Sequence, residues 1–227
     1  MSDMGAVYAE TRQRLCDLLD TIDDDRATTA VAACPGWTVK NVLSHLVGVC
    51  ADVLEGNVNG VATEPWTAAQ VDKRAGLRLP DLLDEWDRVG PKVEAMAPMF
   101  PGRMAEQWVS DAATHEQDIR AALASPGGRD SDAVTVAVGF LGAGFAQSVA
   151  SRGLPTLLIR ADDNEWHAGD GHAVETLMAE PFELMRAVAG RRSETQIRLM
   201  NWSGDGSVYL PAFTFGPFRP AGTDIIE

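Results

Sequence analysis

Apolar residues recur every three or four positions through most of the first half of the chain, which is typical of helices that bury one face. The pattern runs through residues 4–22, 39–55 and 104–123, and through a further segment from Leu79 to the break at Pro98. Pro91 predicts a bend in that further segment, because proline lacks an amide hydrogen and crowds the preceding turn. Four long amphipathic helices predict a helical bundle.

The pattern of apolar residues changes after the turn-forming residues 125–128. A helix rich in small residues is predicted at residues 132–151, and another at residues 179–189, where Gly190 ends it. Short apolar segments predict strands at residues 154–160, 196–202 and 208–215. The last part of the chain therefore combines short strands with helices, which predicts a small α+β unit.

The predicted fold class is mainly α, with a four-helix bundle at residues 1–128 and a small α+β domain at residues 129–227. A chain of 227 residues with 45% hydrophobic residues is long enough and apolar enough to build a real core in each domain. Disorder over most of the length is therefore not expected.

The charge of the chain argues against two classes of partner. A net charge of -14 would repel phosphate backbones and anionic membrane surfaces, so we expect no nucleic-acid and no membrane partner. No run of apolar residues approaches the roughly 18 of a membrane span. Three scattered cysteines, Cys16, Cys34 and Cys50, are too few for a disulfide framework and predict reduced thiols in a cytoplasmic protein.

Two of the four histidines fall on helix faces that are predicted to be buried. A rotation of about 100° per residue places His115 in the apolar stripe that contains Trp108 and Ala112. Asp111 lies one helical turn before His115, and Asp118 lies one turn after it, at the edge of the stripe. Such inward-facing polar groups are costly unless a cation or a hydrogen-bond donor satisfies them.

A metal ion would satisfy these groups. The spacing Asp-x-x-x-His places Asp111 and His115 close enough to share one ion, and His45 brings a third ligand from a facing helix. We therefore predict one divalent metal, with zinc as the expected ion, between His45, Asp111 and His115. Two nitrogens and one oxygen leave at least one coordination position open, as in catalytic zinc sites. Asp118 is then expected to support a ligand or to act as a base.

A hydrogen-bonded cluster of aspartate and histidine that only holds two helices in register remains the alternative. The other candidate residues are weaker. His167 and His172 lie in a glycine-rich polar turn and are expected to be exposed loop residues. Cys34 has no histidine near it in sequence and is expected to be a packed loop cysteine. Arg191 and Arg192 suit a carboxylate or a phosphate, or form a solvated pair.

Two segments resemble a known enzyme family. The stretch Cys-Pro-Gly-Trp-Thr-Val-Lys-Asn-Val-Leu-Ser-His-Leu-Val-Gly, which contains Cys34 and His45, resembles the first motif of the mycothiol-dependent maleylpyruvate isomerase family, within the DinB-like metalloenzyme superfamily. The stretch from Trp108 to Arg120 resembles the second motif, an acidic residue followed by His-x-x-Asp-(Leu/Ile)-Arg. The acidic residue of that motif is often glutamate, so Asp111 is a departure.

The resemblance implies a DinB-like four-helix bundle with a long crossover, which binds a divalent metal, usually zinc, through His45, Asp111 and His115. It also implies the low-molecular-weight thiol mycothiol as cosubstrate, with its sulfur held by the metal. Addition of the thiolate to an electrophilic double bond and its elimination would isomerise the substrate from cis to trans, and retention of the adduct would be S-transfer. Arg191 or Arg192 would hold a substrate carboxylate.

Three functions therefore remain open from the sequence. The first is a metal-dependent isomerase or S-transferase that uses mycothiol and an electrophilic small molecule. The second is a metal-binding or ligand-binding protein without catalysis, since fold does not fix function. The third is a metallohydrolase that needs no thiol. A monomer and a homodimer are equally compatible with the sequence.

Overall fold

The computed structural model describes residues 3–161 and 164–227, and the chain divides into two compact units, Met1–Gly128 and Arg129–Glu227. The helices of the first unit are α1 (Met4–Leu19), α2 (Val39–Glu55), α3 (Glu64–Lys73), α4 (Leu79–Met96) and α5 (Met104–Ala122). The second unit contains the helices α6 (Asp132–Ser151), α7 (Pro181–Val188) and α8 (Glu194–Arg198) and the strands β1 (Leu157–Ala161), β2 (Asn164–Ala168), β3 (Glu175–Met178) and β4 (Asn201–Trp202). This architecture confirms the predicted fold class.

The four long helices of the first unit form a bundle around an aliphatic and aromatic core. Helix α4 packs against α1 and α2, and α5 packs against the same two helices. The short helix α3 lies in the connection between α2 and α4 and packs on α2. Helix α4 runs through Pro91 as one helix. Large side chains that are fully buried in this unit include Tyr8, Leu15, Leu19, Leu43, Leu46, Leu79, Leu82 and Trp86.

The start of α2 is fixed by a reciprocal cap. The Thr38 hydroxyl accepts a hydrogen bond from the Asn41 amide, and the Asn41 side chain accepts one from the Thr38 amide at 2.9 Å. These bonds satisfy donors that a helix N-terminus otherwise leaves without a partner. Gly56 ends the helix with a φ of 71°, a conformation that favours glycine. The two caps fix the ends of α2, and packing of its apolar residues against α4 and α5 buries the face that contains His45.

The second unit is built around a four-stranded sheet with the strand order β2-β1-β3-β4. Strand β1 pairs with β2 in antiparallel and with β3 in parallel orientation, and β3 pairs with β4 in antiparallel orientation. Helix α6 packs against α7. The side chain of Arg186 on α7 is fully buried and forms an ion pair with Glu227.

One predicted strand of the second unit begins as a helix. Residues 196–202 contain the end of α8 and the short strand β4. The Ser193 hydroxyl accepts a hydrogen bond from the Gln196 amide at 3.1 Å, and the Gln196 side chain accepts one from the Ser193 amide at 3.0 Å. This capping box starts a helix where the apolar pattern alone predicts a strand.

A second predicted strand, at residues 208–215, is also wrong. A 3-10 helix covers Gly206–Phe213, and Pro211 inside it has no amide hydrogen to donate to a neighbouring strand. Conversely, β2 was not predicted, because its sequence is polar and mostly exposed. His167 consequently lies in β2 rather than in a turn, whereas His172 lies in the predicted turn, and both are exposed.

Within the described residues, α6 alone is long and apolar enough to cross a membrane by length and composition. Its apolar window is 44% buried, and the core helix of a folded domain passes the same test. Residues that pack inward from α6 include Leu141, Phe145 and Val149. Part of the apolar surface of α6 therefore packs within its own unit.

Candidate metal centre

Helices α2 and α5 bring together the three residues that the sequence predicts as metal ligands. The Nε2 atom of His45 lies 3.3 Å from Asp111 Oδ2, and the Nε2 atom of His115 lies 3.7 Å from Asp111 Oδ1. The side chains of His45 and His115 are 4% and 11% exposed, whereas that of Asp111 is 36% exposed. Two buried imidazoles therefore face one carboxylate that water can reach.

Both imidazole rings use their other nitrogen for a hydrogen bond away from Asp111. His45 Nδ1 lies 2.7 Å from the side-chain oxygen of Gln70, and His115 Nδ1 lies 2.9 Å from Asp118 Oδ2. A carboxylate or an amide oxygen only accepts, so each Nδ1 carries a hydrogen. In a neutral ring, the lone pair is then on Nε2 and is directed at the Asp111 carboxylate.

A divalent metal fits this set of donors. Two Nε2 lone pairs that face a carboxylate repel it unless a proton or a metal cation lies between them. Candidate ligand atoms of His45, Asp111 and His115 lie within 4.8 Å of one another, so one ion can reach all three. Two nitrogens and one oxygen are the ligands of zinc sites that keep a position open. Residues 3–161 and 164–227 thus offer one donor set of the kind that the sequence predicts.

The electrostatics of the site also favour a positive charge. Burial lowers the pKa of His45, but the charge of Asp111 and hydrogen bonds to Asp111 and Gln70 act in the opposite direction and leave that pKa raised above its ordinary value. The same acidic environment that stabilises a proton on an imidazole stabilises a metal cation. A proton and a metal therefore compete for the Nε2 atom of His45.

Two indole rings lie beside the imidazoles. The ring of Trp37 is 5.6 Å from that of His45 and 6.4 Å from that of His115, measured between centroids. The ring of Trp66 meets that of His45 edge to face at 6.5 Å. Trp37 precedes the cap of α2 and Trp66 lies in α3, so the segments on either side of α2 each supply one aromatic wall.

Cys34 lies next to His115 in space, which the sequence analysis missed. Its Sγ atom is 3.4 Å from Asp118 Oδ2 and 3.9 Å from His115 Nδ1. The three residues form a second group of potential metal ligands. His115 Nδ1 and Asp118 Oδ2 are at hydrogen-bond distance, so this nitrogen is already paired with a carboxylate. We interpret this group as a support for His115.

The remaining predicted site residues are tied to partners of their own. Asp118 is almost fully buried and lies at Nδ1 of His115, on the opposite side of the ring from Nε2, which favours the supporting role over that of a base. Arg192 forms ion pairs with Glu183 and Glu227. Arg191 donates a hydrogen bond to the Ala189 carbonyl. A role of either arginine in substrate binding stays a prediction.

Known proteins resemble the chain in sequence and in fold. The sequence model of the mycothiol maleylpyruvate isomerase N-terminal domain matches residues 8–125. A solved structure of a mutant mycothiol-dependent maleylpyruvate isomerase matches with a TM-score of 0.57 and 12% identity, and covers 84% of this chain and 90% of its own. Another structure of a mycothiol-dependent maleylpyruvate isomerase matches with a TM-score of 0.53 and 12% identity, and covers 86% of this chain and 91% of its own.

The comparison with curated proteins gives no match. At 12% identity, the two solved structures establish a common fold and nothing further. The family match is more specific, because it spans more than half of the chain and includes His45, Asp111 and His115. The chain belongs to the family of the mycothiol maleylpyruvate isomerase N-terminal domain.

Proposed function

We propose that the protein is a metal-dependent isomerase that uses a small thiol, mycothiol, to convert an electrophilic double bond from cis to trans. The convergence of two buried Nε2 atoms and the Asp111 carboxylate is the observation on which the proposal rests. Membership of the family suggests the thiol and the reaction, and two solved structures with the same fold are named mycothiol-dependent maleylpyruvate isomerases.

In this proposal, His45 and His115 hold the metal through Nε2, and Asp111 holds it through its carboxylate. The metal supplies a thiolate at neutral pH, because it lowers the pKa of a thiol that coordinates it. Gln70 and Asp118 keep the two rings in place through Nδ1. Trp37 limits the access of water beside both rings, so a thiol and a substrate approach from the more exposed side of Asp111.

The chemistry requires no net change in the thiol. A thiolate that adds to a conjugated double bond leaves a single bond, about which the substrate rotates. Elimination then restores the double bond in the trans form and returns the thiol. An enzyme of this kind has to hold the thiol and the substrate close together and correctly oriented. Such positioning can remove a large part of the activation barrier.

Metal content and activity test the proposal together. The purified protein is reconstituted with zinc and its metal is measured by mass spectrometry, and isomerisation of maleylpyruvate is followed with and without mycothiol. We expect about one zinc per chain and activity that depends on the thiol. His45→Ala and His115→Ala should lose both. His167→Ala is the matched control, because His167 is an exposed histidine of β2, and it should retain both.

Several results would contradict the proposal. Metal that stays bound after both His45→Ala and His115→Ala changes would place it elsewhere. A stable conjugate between mycothiol and chlorodinitrobenzene, without isomerisation, would replace the isomerase with an S-transferase. Bound metal without any thiol turnover would favour a binding protein, and hydrolysis that needs no thiol would favour a metallohydrolase.

A further inference from the structure

A chain of buried hydrogen bonds leads away from the candidate metal centre through α3. His45 Nδ1 lies 2.7 Å from the side-chain oxygen of Gln70, and the side-chain nitrogen of Gln70 lies 2.7 Å from Asp52 Oδ2. His45, Gln70 and Asp52 are 3%, 2% and 8% exposed. Gln70 therefore connects a predicted metal ligand on α2 with an acidic residue two turns further along the same helix.

The direction of these hydrogen bonds follows from the chemistry of Asp52. An ionised carboxylate only accepts hydrogen bonds, and Asp52 also accepts one from the Asn57 side chain at 3.0 Å. The nitrogen of the Gln70 amide must then face Asp52, and its oxygen must face His45. Since that oxygen only accepts, His45 carries its hydrogen on Nδ1. The lone pair of the neutral ring is left on Nε2, which faces Asp111.

The position of Gln70 is fixed by its surroundings. Helix α3 approaches α2 closely at Gly48, where an added Cβ atom would lie only 2.5 Å from Cβ of Gln70. The Arg74 guanidinium donates a hydrogen bond to the backbone carbonyl of Gln70 at 3.2 Å. Two hydrogen bonds to Glu85 hold the guanidinium in turn. The Gln70 side chain therefore has little freedom to rotate its amide away from His45.

The two imidazoles of the centre are supported in different ways. His115 Nδ1 faces a carboxylate directly, that of Asp118, whereas His45 Nδ1 faces a neutral amide that a carboxylate orients. We propose that Gln70, oriented by Asp52, is a positioning residue that sets the tautomer and the ring orientation of His45 for metal binding. The metal part of this inference rests on the proposed function, whereas the tautomer does not.

The tautomer is tested in the metal-free protein. Nitrogen-15 NMR of labelled histidine at alkaline pH distinguishes a ring with hydrogen on Nδ1 from one with hydrogen on Nε2. We expect His45 to carry it on Nδ1 in the wild type and to show a mixture of both forms in Gln70→Leu. Asp52→Asn, which keeps the volume, should also give a mixture, because an asparagine can donate as well as accept and no longer fixes the amide.

Zinc affinity is the second readout, measured by competition with a chromophoric chelator. Gln70→Leu should weaken zinc binding about 10- to 100-fold, as loss of a partner of a ligating histidine does elsewhere, and Asp52→Asn should weaken it less. Gln117→Leu is the matched control, because Gln117 is a buried glutamine of α5 that donates to the Gly127 carbonyl. It should leave both the tautomer and the affinity unchanged.

The outcomes separate this inference from the proposed function. Unchanged His45 tautomer and unchanged zinc affinity in Gln70→Leu and Asp52→Asn would overturn the role of Gln70. Equal losses in Gln70→Leu and Gln117→Leu would also overturn it, because any buried glutamine would then do the same. A wild type that binds no zinc but loses the Nδ1 tautomer in Gln70→Leu would refute the metal centre and support the action of Gln70 on His45.

Discussion

Water reaches the sulfur atoms of the three cysteines to different extents. Cys50 is fully buried and Cys16 nearly so, and burial raises the pKa of each thiol to about 11, with the charge of Asp87 as a further cause at Cys16. Cys34 lies in the loop before α2 and is only partly buried. Its neighbours, Asp118 and His115, are polar. Reactivity with thiol reagents should therefore differ among the three residues.

We predict that one thiol of the native protein reacts quickly with Ellman's reagent at pH 8. A thiol with a pKa near 11 is ionised at that pH in roughly one molecule in a thousand, and burial further hinders attack at Cys16 and Cys50. Cys34→Ser should abolish the fast phase, and denaturation of the wild type should expose all three thiols. A fast phase that persists in Cys34→Ser would show that Cys16 or Cys50 is accessible.

At the scale of single residues, the sequence could predict only those candidate site residues that lie on the apolar face of a long helix. The buried positions of His45 and His115 could be predicted because their faces follow from apolar spacing on α2 and α5. Gln70 and Cys34 could not be found in this way. Cys34 is 81 residues from His115 along the chain, and the contact of Gln70 with His45 depends on the packing of α3 against α2.

The packing of α3 on α2 depends on a glycine at the point of closest approach. Gly48 lies inside α2, and an added Cβ atom would meet Cβ and Cγ of Gln70 at 2.5 and 2.7 Å. Gly142 lies inside α6, and an added Cβ atom there would meet no atom within 4 Å. The two positions have the same secondary structure and opposite surroundings.

We predict opposite effects of alanine at these two positions. In an open helical position, alanine is more favourable than glycine by about 1 kcal/mol, so Gly142→Ala should raise the free energy of unfolding by up to that amount. Gly48→Ala should lower it by about 1–3 kcal/mol, because the new methyl group forces α3 and α2 apart. Urea denaturation measures both changes. Stabilisation by Gly48→Ala would mean that α3 adjusts without strain.

At the scale of elements, periodicity predicted the long helices well and the short elements poorly. Helix α6 has the predicted bounds, because an apolar segment of 20 residues is too long for a strand and indicates a helix. Strands β2 and β3 have only five and four residues and little apolar alternation. Their conformation therefore depends on pairing with neighbouring strands, which local sequence does not show. The apolar residues of the 3-10 helix at Gly206–Phe213 favour a strand by pattern alone, so periodicity gives the wrong element there.

At the scale of the whole molecule, all three candidate metal ligands lie within one of the two units. His45, Asp111 and His115 belong to Met1–Gly128. A ligand that binds only the folded form stabilises it by an amount that grows with the logarithm of its concentration. The stabilisation should belong to the unit that contains the site.

We therefore predict that zinc raises the melting temperature of the first unit. At a free zinc concentration of 100 times Kd, the gain is about 2.7 kcal/mol, or about 5–10 °C in a chain of this size. Scanning calorimetry checks this shift, and where the two units melt separately only one transition should move. The double variant His45→Ala/His115→Ala should show no shift. An equal zinc effect in that variant would assign the stabilisation to other residues.

The unequal exposure of the three candidate ligands has a consequence for the exchange of a bound ion. The imidazoles of His45 and His115 are buried and held through Nδ1, whereas the carboxylate of Asp111 is more than a third exposed. An incoming hydrated ion would exchange its first water for this carboxylate, and a departing ion would leave it last. A chelator in solution would likewise meet the ion on the Asp111 side. The rate at which a bound ion exchanges with solvent should therefore depend on the side chain at position 111.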